Sequence, residues 1–523
     1  MRTAHQVATV RAAEQALMAK LPAGTLMQRA AAALASVCAR LLGDVYGSRV
    51  VVLAGSGDNG GDALYAAARL AARGAAVTAV AAGSRLHESG AAELTACGGR
   101  ITPARASGSP DGAAGHTSDP AGLVTADARQ AIATADLIID GLTGIGGSGG
   151  LREPAAALAA LAGQARSDGA LVVAVDLPSG IDADTGEVQG AAVSADVTVT
   201  FGTVKPGLLI DPGASQAGTT ELVDIGLGPY LGAPAALALQ AADVAALLPQ
   251  PGAESDKYRR GVLGLVAGSD QYTGAAVLCC GGAIRGGAGM VRFVSADIAV
   301  GVVRQHWPEA VLTSFAAGRA GEAVKAAGRV QAWAAGSGIG SAPDARDIIA
   351  AVLDSDVPAL IDADGLAVLG AHRELLRRAE PVLITPHAGE LGRLLSADRN
   401  DIEARRLHYA RTAAAELGVT VLLKGSTTVI AGPDTAQPVL VNSTGTAWLA
   451  TAGSGDVLSG LAGALLAQGL AVSDAAAAAA YLHGLAGRLA ADDAPIGATD
   501  LLAAIPAAIR AVSGAQAQPA GLA

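Results

Sequence analysis

From Arg49 onward, short runs of β-branched and other apolar residues alternate with longer Ala-rich stretches. That alternation predicts a parallel sheet covered by helices on both faces. In the first half the runs 50–53, 76–80, 137–140, 171–176 and 197–201 read as strands, and the Gly-, Ser-, Pro- and Ala-rich stretch 104–122 between the second and third reads as a surface loop. The strand pattern stops near Ile225, and the Gly, Pro, Ala and Leu content that follows predicts a linker over 229–242, separating a domain 1–228 from a domain 243–523. Strands then resume at 262–266, 291–294, 332–335, 359–362, 382–385 and 419–424, with long helices at 402–417, 456–468, 474–490 and 499–512. The expected fold class is α/β, with two three-layer α/β/α domains and no repeat at a solenoid period.

Composition narrows the function classes. The 523 residues are 51% hydrophobic, 16% charged and only 2% aromatic, so the cores are built from Ala, Val and Leu. A formal charge of -11, with no basic stripe, argues against nucleic acid as a partner. Cys38, Cys97, Cys279 and Cys280 form no C-x-x-C pair and point to a reducing compartment. The N-terminus is interrupted by charge, and no uncharged apolar run of ~20 residues occurs. A cytoplasmic protein with no membrane partner is the expectation.

The run 50–54 leads into Gly55-Ser56-Gly57-Asp58-Asn59-Gly60-Gly61-Asp62. Gly55, Gly57 and Gly60 satisfy G-x-G-x-x-G at a strand-to-helix turn, where free N–H groups face a pyrophosphate; the first domain is therefore expected to be Rossmann-like. The acidic residue that a redox dinucleotide site needs about 20 positions on is missing, because the next strand ends Val80-Ala81-Ala82-Gly83. Asp58, Asn59 and Asp62 add more negative and polar character than phosphate binding requires, which favours a cation or a hydroxylated ligand. Asp140 and Asp176 end two further apolar runs, and ligands of open α/β sheets lie outside such ends. Any one of these Asp residues alone is as readily a cap or turn residue.

The turn from Gly57 to Asp62, Asp140 with Gly144, Asp176-Leu177-Pro178-Ser179-Gly180 and Lys205-Pro206-Gly207 together resemble the NAD(P)H-hydrate epimerase family over nearly the whole first half. The resemblance implies a potassium ion held by Asn59, Asp140 and Ser179. It also implies substrate contacts from Asp58, Asn59, Gly60, Gly61 and Asp62, from Gly144, Ile145, Gly146, Gly147, Ser148, Gly149 and Gly150, and from Asp176. Asp176 is the expected acid or base for exchange of stereochemistry at C6 of the hydrated nicotinamide ring. Lys205 ranks below it, as a group for the ligand's phosphates.

In the second half, Asn442-Ser443-Thr444-Gly445-Thr446 precedes Gly453-Ser454-Gly455-Asp456. The glycines free the backbone to wrap an anion, a helix starting near Asp456 offers unpaired N–H groups, and Asp456 is suited to accept a hydroxyl proton. No G-x-x-x-x-G-K-[ST] occurs, which excludes a P-loop site. Lys424-Gly425-Ser426-Thr427-Thr428 at a strand end reads as a nucleotide contact or as a tight hairpin turn, and His387 in Thr385-Pro386-His387-Ala388-Gly389-Glu390 as a structural or a site histidine.

With Gly268-Ser269, Tyr272 to Ala276, Arg285 to Val291, Gly336 to Gly340 and Asp362-Ala363-Asp364, these segments resemble the ADP- or ATP-dependent NAD(P)H-hydrate dehydratase family, of ribokinase-like fold. The matches run in the family's order, with Ser337 where Pro is usual and Ser454 where Thr is usual. The resemblance implies that Ala276, Gly338, His387 and Asp456 touch the hydrated dinucleotide, while Lys424, Gly425, Ser426, Thr427, Thr428 and Gly455 touch the adenine nucleotide. ADP is the implied phosphoryl donor, Asp456 the base and Mg²⁺ the phosphate-bridging ion. NADHX, NADPHX and ADP are the implied small-molecule partners. The Ala-rich helices add a homo-oligomer to the expectations. A vitamin-precursor kinase of the same superfamily shares G-x-G-D, but such an enzyme has no evident need for an epimerase-like half.

Overall fold

The computed structural model describes residues 1–105, 123–147, 149–341 and 343–515. It divides into two compact units, Thr3–Ala235 and Ala236–Ala523 with Met1–Arg2. The division lies inside the stretch read as a linker, part of which is itself structured. Strand Ala236–Ala238 is followed by helix Ala241–Leu247, whose start is fixed by the Gln240 N–H donating to Asp243 at 2.8 Å. The loop expected over 104–122 falls, apart from Ala104 and Arg105, outside the described residues.

The first unit holds β1 (Arg49–Ala54), β2 (Ala76–Ala81), β3 (Arg100–Pro103), β4 (Leu137–Gly141), β5 (Leu171–Val175), β6 (Val197–Phe201) and β7 (Thr219–Val223). They form one sheet in the order β3-β2-β1-β4-β5-β6-β7, with every pair parallel. The alternation of side chains along a strand sends Val50 and Val52 of β1 into one core and Val51 and Leu53 into the other. The first core takes helices Thr25–Leu42 and Asp58–Ala71, and the second takes Ala126–Ala133 and Ala155–Ser167. Because both faces are covered, the central strands carry no polar alternation. The order reverses between β1 and β4, which opens a crevice at their carboxyl ends.

The second unit contributes β8 (Ala236–Ala238), β9 (Val262–Val266), β10 (Met290–Ala296), β11 (Val311–Phe315), β12 (Ala332–Ala335), β13 (Ala359–Ile361), β14 (Val382–Ile384), β15 (Thr420–Leu423), β16 (Thr428–Ala431) and β17 (Val439–Asn442). Their order is β8-β17-β16-β15-β14-β13-β12-β9-β10-β11. Only β16 runs antiparallel to its neighbours β15 and β17 in this array.

Helices Thr273–Arg285 and Ser454–Ala467 pack backbone to backbone on this sheet. A Cβ at Gly460 would stand 2.0 Å from the Cys279 carbonyl oxygen, and one at Gly282 would stand 2.4 Å from that of Val457. The closeness of the crossing fixes where the first turn of Ser454–Ala467 emerges, and that turn carries Asp456. Among the described residues no helix is long and apolar enough to cross a membrane.

Candidate active sites

In the first unit the turn after β1 is drawn tightly under the loop after β4. A Cβ at Gly55 would lie 1.9 Å from the Leu142 oxygen and one at Gly60 would lie 2.2 Å from the Gly55 oxygen, so both positions require glycine. Asp58 begins helix Asp58–Ala71, and Asp58, Asn59, Gly60, Gly61 and Asp62 make up its first turns. Gly144 backs onto the Asn59 side chain, Gly146 lies beside the Arg11 guanidinium, and Gly150 is pressed against the Gln189 carbonyl. Ile145 packs into the core. Ser148 lies outside the described residues.

Asn59, Asp140 and Ser179 meet at one point, the Thr143 carbonyl oxygen and its surroundings. Asn59 Nδ2 donates to that oxygen at 3.1 Å. Ser179 donates its N–H to Asp140 Oδ2 at 2.8 Å and its hydroxyl to Asp140 Oδ1 at 2.7 Å, with the Thr143 oxygen 3.1 Å from the same hydroxyl. Asp140 is wholly buried, and burial pushes its carboxyl up to about 6, only partly offset by the Ser179 and Leu142 donors.

Asp176 follows β5 in the left-handed region, at φ 66°, a conformation that a non-glycine residue keeps only when its surroundings hold it. They do: its N–H donates to Val199 O at 2.7 Å, while Oδ1 accepts from Phe201 N at 3.1 Å and Thr200 Oγ1 at 3.2 Å and forms an ion pair with Lys205. Lys205 is 1% exposed and gives its remaining bonds to Thr200 Oγ1 at 3.0 Å and Phe201 O at 3.3 Å. This corrects the reading of Lys205 as a phosphate ligand, because its ammonium is already committed inside the protein.

Asp62 and Glu14 share the field of Asp176 and of Asp58. Burial, then the Asp176 charge, raises both Asp62 and Glu14, Asp62 well above the usual carboxylate range. Glu14 comes from helix Val7–Met18, ahead of the first strand of the sheet.

In the second unit Gly453, at φ 88°, turns the chain into helix Ser454–Ala467. Gly455 and Asp456 therefore occupy its first turn, where backbone N–H groups lack helical partners. A cleft of ≈ 830 Å³ opens beside it, lined by Lys424, Gly425, Ser426, Thr428, Ser454 and Gly455 and also by His387, Arg406 and His483. Thr427 is the exception in its segment, buried at 4% exposure and not part of the lining. The segment forms the β15–β16 hairpin turn, and all of it but Thr427 lines the cleft.

Burial pushes Asp456 up to about 6, with Asp362 adding to the rise and Lys424 opposing it. Lys424 Nζ donates to Asp362 at 3.0 Å and stands 3.8 Å from Glu390; burial lowers the ammonium, but the two carboxylates outweigh it and hold it above its ordinary value. Ser459 donates to the other Asp362 oxygen at 2.5 Å. His387 caps helix Ala388–Leu395, its Nδ1 accepting from Gly389 N at 3.0 Å and Glu390 N at 3.3 Å. That leaves the proton on Nε2, and burial lowers its pKa further. Ala276 is sealed against Gly268, and Gly338 abuts Tyr272 and Ala275.

Comparison with known proteins speaks to both units. A family described as YjeF-related protein N-terminus matches residues 23–207, and one described as NAD(P)H-hydrate dehydratase matches residues 263–507. The bifunctional NAD(P)H-hydrate repair enzyme Nnr of Mycobacterium leprae is 45% identical over 499 residues, covering 94% of this chain and 95% of that protein. The chain belongs to the bifunctional NAD(P)H-hydrate repair enzymes. Its likeness to the family holds at greater distance too, with the Moorella thermoacetica repair enzyme 35% identical over 85% of this chain and 84% of that one. Among solved structures, the ADP/ATP-dependent NAD(P)H-hydrate dehydratase of Bacillus subtilis, co-crystallized with ATP/Mg²⁺, is 31% identical and covers 52% of this chain and 97% of that one, with a TM-score of 0.48.

Within this repair enzyme several functional neighbours were invisible to motif reading. Glu14 and Thr143 carry no motif, and Arg406, whose guanidinium packs on Gly425, sits in a helix far from any glycine-rich turn. His483 is buried and donates Nε2–H to the Ser454 oxygen at 2.8 Å, steadying the turn; burial lowers its pKa to about 4. Its only sequence signal is a histidine in the middle of an Ala-rich helix.

Proposed function

We propose that the first unit interconverts the R and S forms of hydrated NADH and NADPH. In this reading the second unit dehydrates the S form at the expense of ADP, releasing NAD(P)H, AMP and phosphate. The observation that carries it is Asp456 on the first turn of a helix beside a cleft of nucleotide size, with Lys424 next to it.

Asp456 takes the proton from the C6 hydroxyl, and the alkoxide attacks the β-phosphorus of ADP while AMP departs. Lys424 and the N–H groups at Gly455 and Asp456 face the charge that builds on the transferring phosphoryl group. The phosphate then leaves C6, a proton is lost from C5, and the C5–C6 double bond is restored. His387, neutral with hydrogen on Nε2, is a donor for the dinucleotide at the mouth of the cleft.

Among the described residues no group of three His, Cys, Asp or Glu side chains is arranged to hold a metal. Mg²⁺ would therefore be held chiefly by the phosphates of the nucleotide. Asn59, Asp140, Ser179 and the Thr143 carbonyl offer a set of oxygen donors that fits a hard monovalent cation, and a buried Asp140 gains from a nearby positive charge. K⁺ there would neutralise Asp140 and fix the loop that follows it.

Separated epimers provide the test. Asp456→Asn is expected to abolish dehydration of the S form and leave epimerisation intact, and Asp176→Asn to do the reverse. Loss of both activities in either variant would contradict two separate sites.

A further inference from the structure

Asp62 and Asp176 stand on the same crevice, one on the helix after β1 and the other at the end of β5, and their surroundings differ in kind. Asp176 Oδ1 is met by the Lys205 ammonium, the Thr200 hydroxyl and the Phe201 N–H. Asp62 Oδ1 is buried with no hydrogen-bond partner. A charge shared onto that oxygen would go unmatched by any hydrogen bond, which favours the carboxylic acid, and a pair of acids whose environments diverge in this way takes opposite proton-transfer roles. The charges that act on Asp62 are Asp176 at the end of β5, Asp58 on its own helix and Glu14 from helix Val7–Met18, which itself feels Lys205 and Arg11; His87 packs on the neighbouring Gly61. All three are acidic and favour the protonated form of Asp62, in keeping with its strongly raised pKa.

We propose that Asp62 is the general acid of epimerisation, acting opposite Asp176 as the base; this rests on reading the crevice as a hydrate epimerase. Asp62 gives its proton to the C6 hydroxyl, the C6–O bond breaks, and water leaves. The N1 lone pair supplies the electrons, forming a planar N1=C6 iminium. Water adds to the opposite face while Asp176 takes one of its protons, and a new C6–O bond forms. One water leaves, one enters, and nothing is oxidised or reduced. Asp62 ends ionised and Asp176 protonated, which is the arrangement for the reverse reaction and is reset by exchange with solvent.

The full-length protein is assayed with purified S hydrate in ¹⁸O-labelled water between pH 6 and 9, with the uncatalysed rate subtracted. Asp62→Asn is expected to lose kcat by on the order of 10²–10⁴-fold with little change in KM, and its melting temperature should not fall, since no buried charge is added. The wild-type rate should decline towards alkaline pH as Asp62 loses its proton. Asp62→Glu should keep that limb and the Asn variant should lack it. Each enzymic turnover should place one solvent oxygen on C6.

Wild-type kcat in Asp62→Asn, an unchanged alkaline limb in that variant, or product without solvent oxygen would each overturn the assignment. Should the Asn variant fail to fold, the labelling result and the limb in Asp62→Glu decide. A wild-type protein that does not epimerise the hydrate at all removes the reading of the crevice itself, a different outcome from retaining activity without Asp62.

Discussion

Asp456 and Lys205 show how the same burial produces opposite energetic signs. Asp456 is raised from 3.8 to about 6, so the folded protein binds a proton more tightly than the unfolded chain between those values. Its ionisation opposes folding as pH rises through that window, and the cost is complete above about 6; two pKa units correspond to about 3 kcal/mol at most. Asp456→Asn should therefore stabilise the second unit at pH 8 by up to about 3 kcal/mol and hardly at all at pH 4. Denaturant unfolding at both values checks this, and equal effects at the two would refute it. Lys205 instead compensates a charge. Lys205→Met leaves Asp176 buried without its cation and should destabilise the first unit by about 3–5 kcal/mol, measured by the same unfolding experiment. A surface phosphate ligand would cost almost nothing on the same substitution. The Asp residues at 140 and 176 were readable because each ends an apolar run, and Asp456 because a glycine-rich turn sets it at the head of one. Glu14, which lies in the field of Asp176, and Ser459, which donates to Asp362, were not, because tertiary packing alone brings them there.

At the level of elements, sequence pattern found the buried strands and missed the partly exposed ones. β1, β4 and β5 are apolar nearly throughout because helices cover both faces, and β6, equally buried, alternates Val with Thr. β3, β7 and β11 lie at sheet edges, carry mixed exposed and half-buried positions, and give no comparable run. β16 and β17 were lost for a different reason: they belong to an antiparallel excursion in a chain read as parallel throughout. The helix expected over 402–417 is broken at Arg405 into Arg399–Ala404 and Arg406–Leu417, with Asp398 capping the first piece. The Ala-rich helices that did register conceal how closely two of them approach. Gly460→Ala forces a methyl onto the Cys279 carbonyl and should cost about 1–3 kcal/mol. Because the same helix opens with Asp456, dehydration should weaken along with the melting temperature. A variant as stable as the parent would mean that the crossing relaxes freely.

Over the whole molecule, the two halves resolve into separate compact units, each with its own sheet and its own polar strand ends, and the family embraces both. The net charge of -11 bears on solubility and on partners, not on fold; under the proposed reaction, substrate phosphates would find their favourable field locally, at helix N-termini and at Lys424. Coupling an epimerase to a stereospecific dehydratase predicts that a mixture of epimers is consumed completely, and that K⁺ matters only to the slow R component. The measurement is to incubate the purified chain with an epimeric mixture of hydrated NADH, ADP and Mg²⁺, in K⁺ or in Na⁺, following dihydronicotinamide absorbance and AMP together. Full recovery of absorbance is expected, with one AMP per NADH and a slowed second phase in Na⁺. Absorbance that fails to return, or returns without AMP, would contradict the proposed reaction.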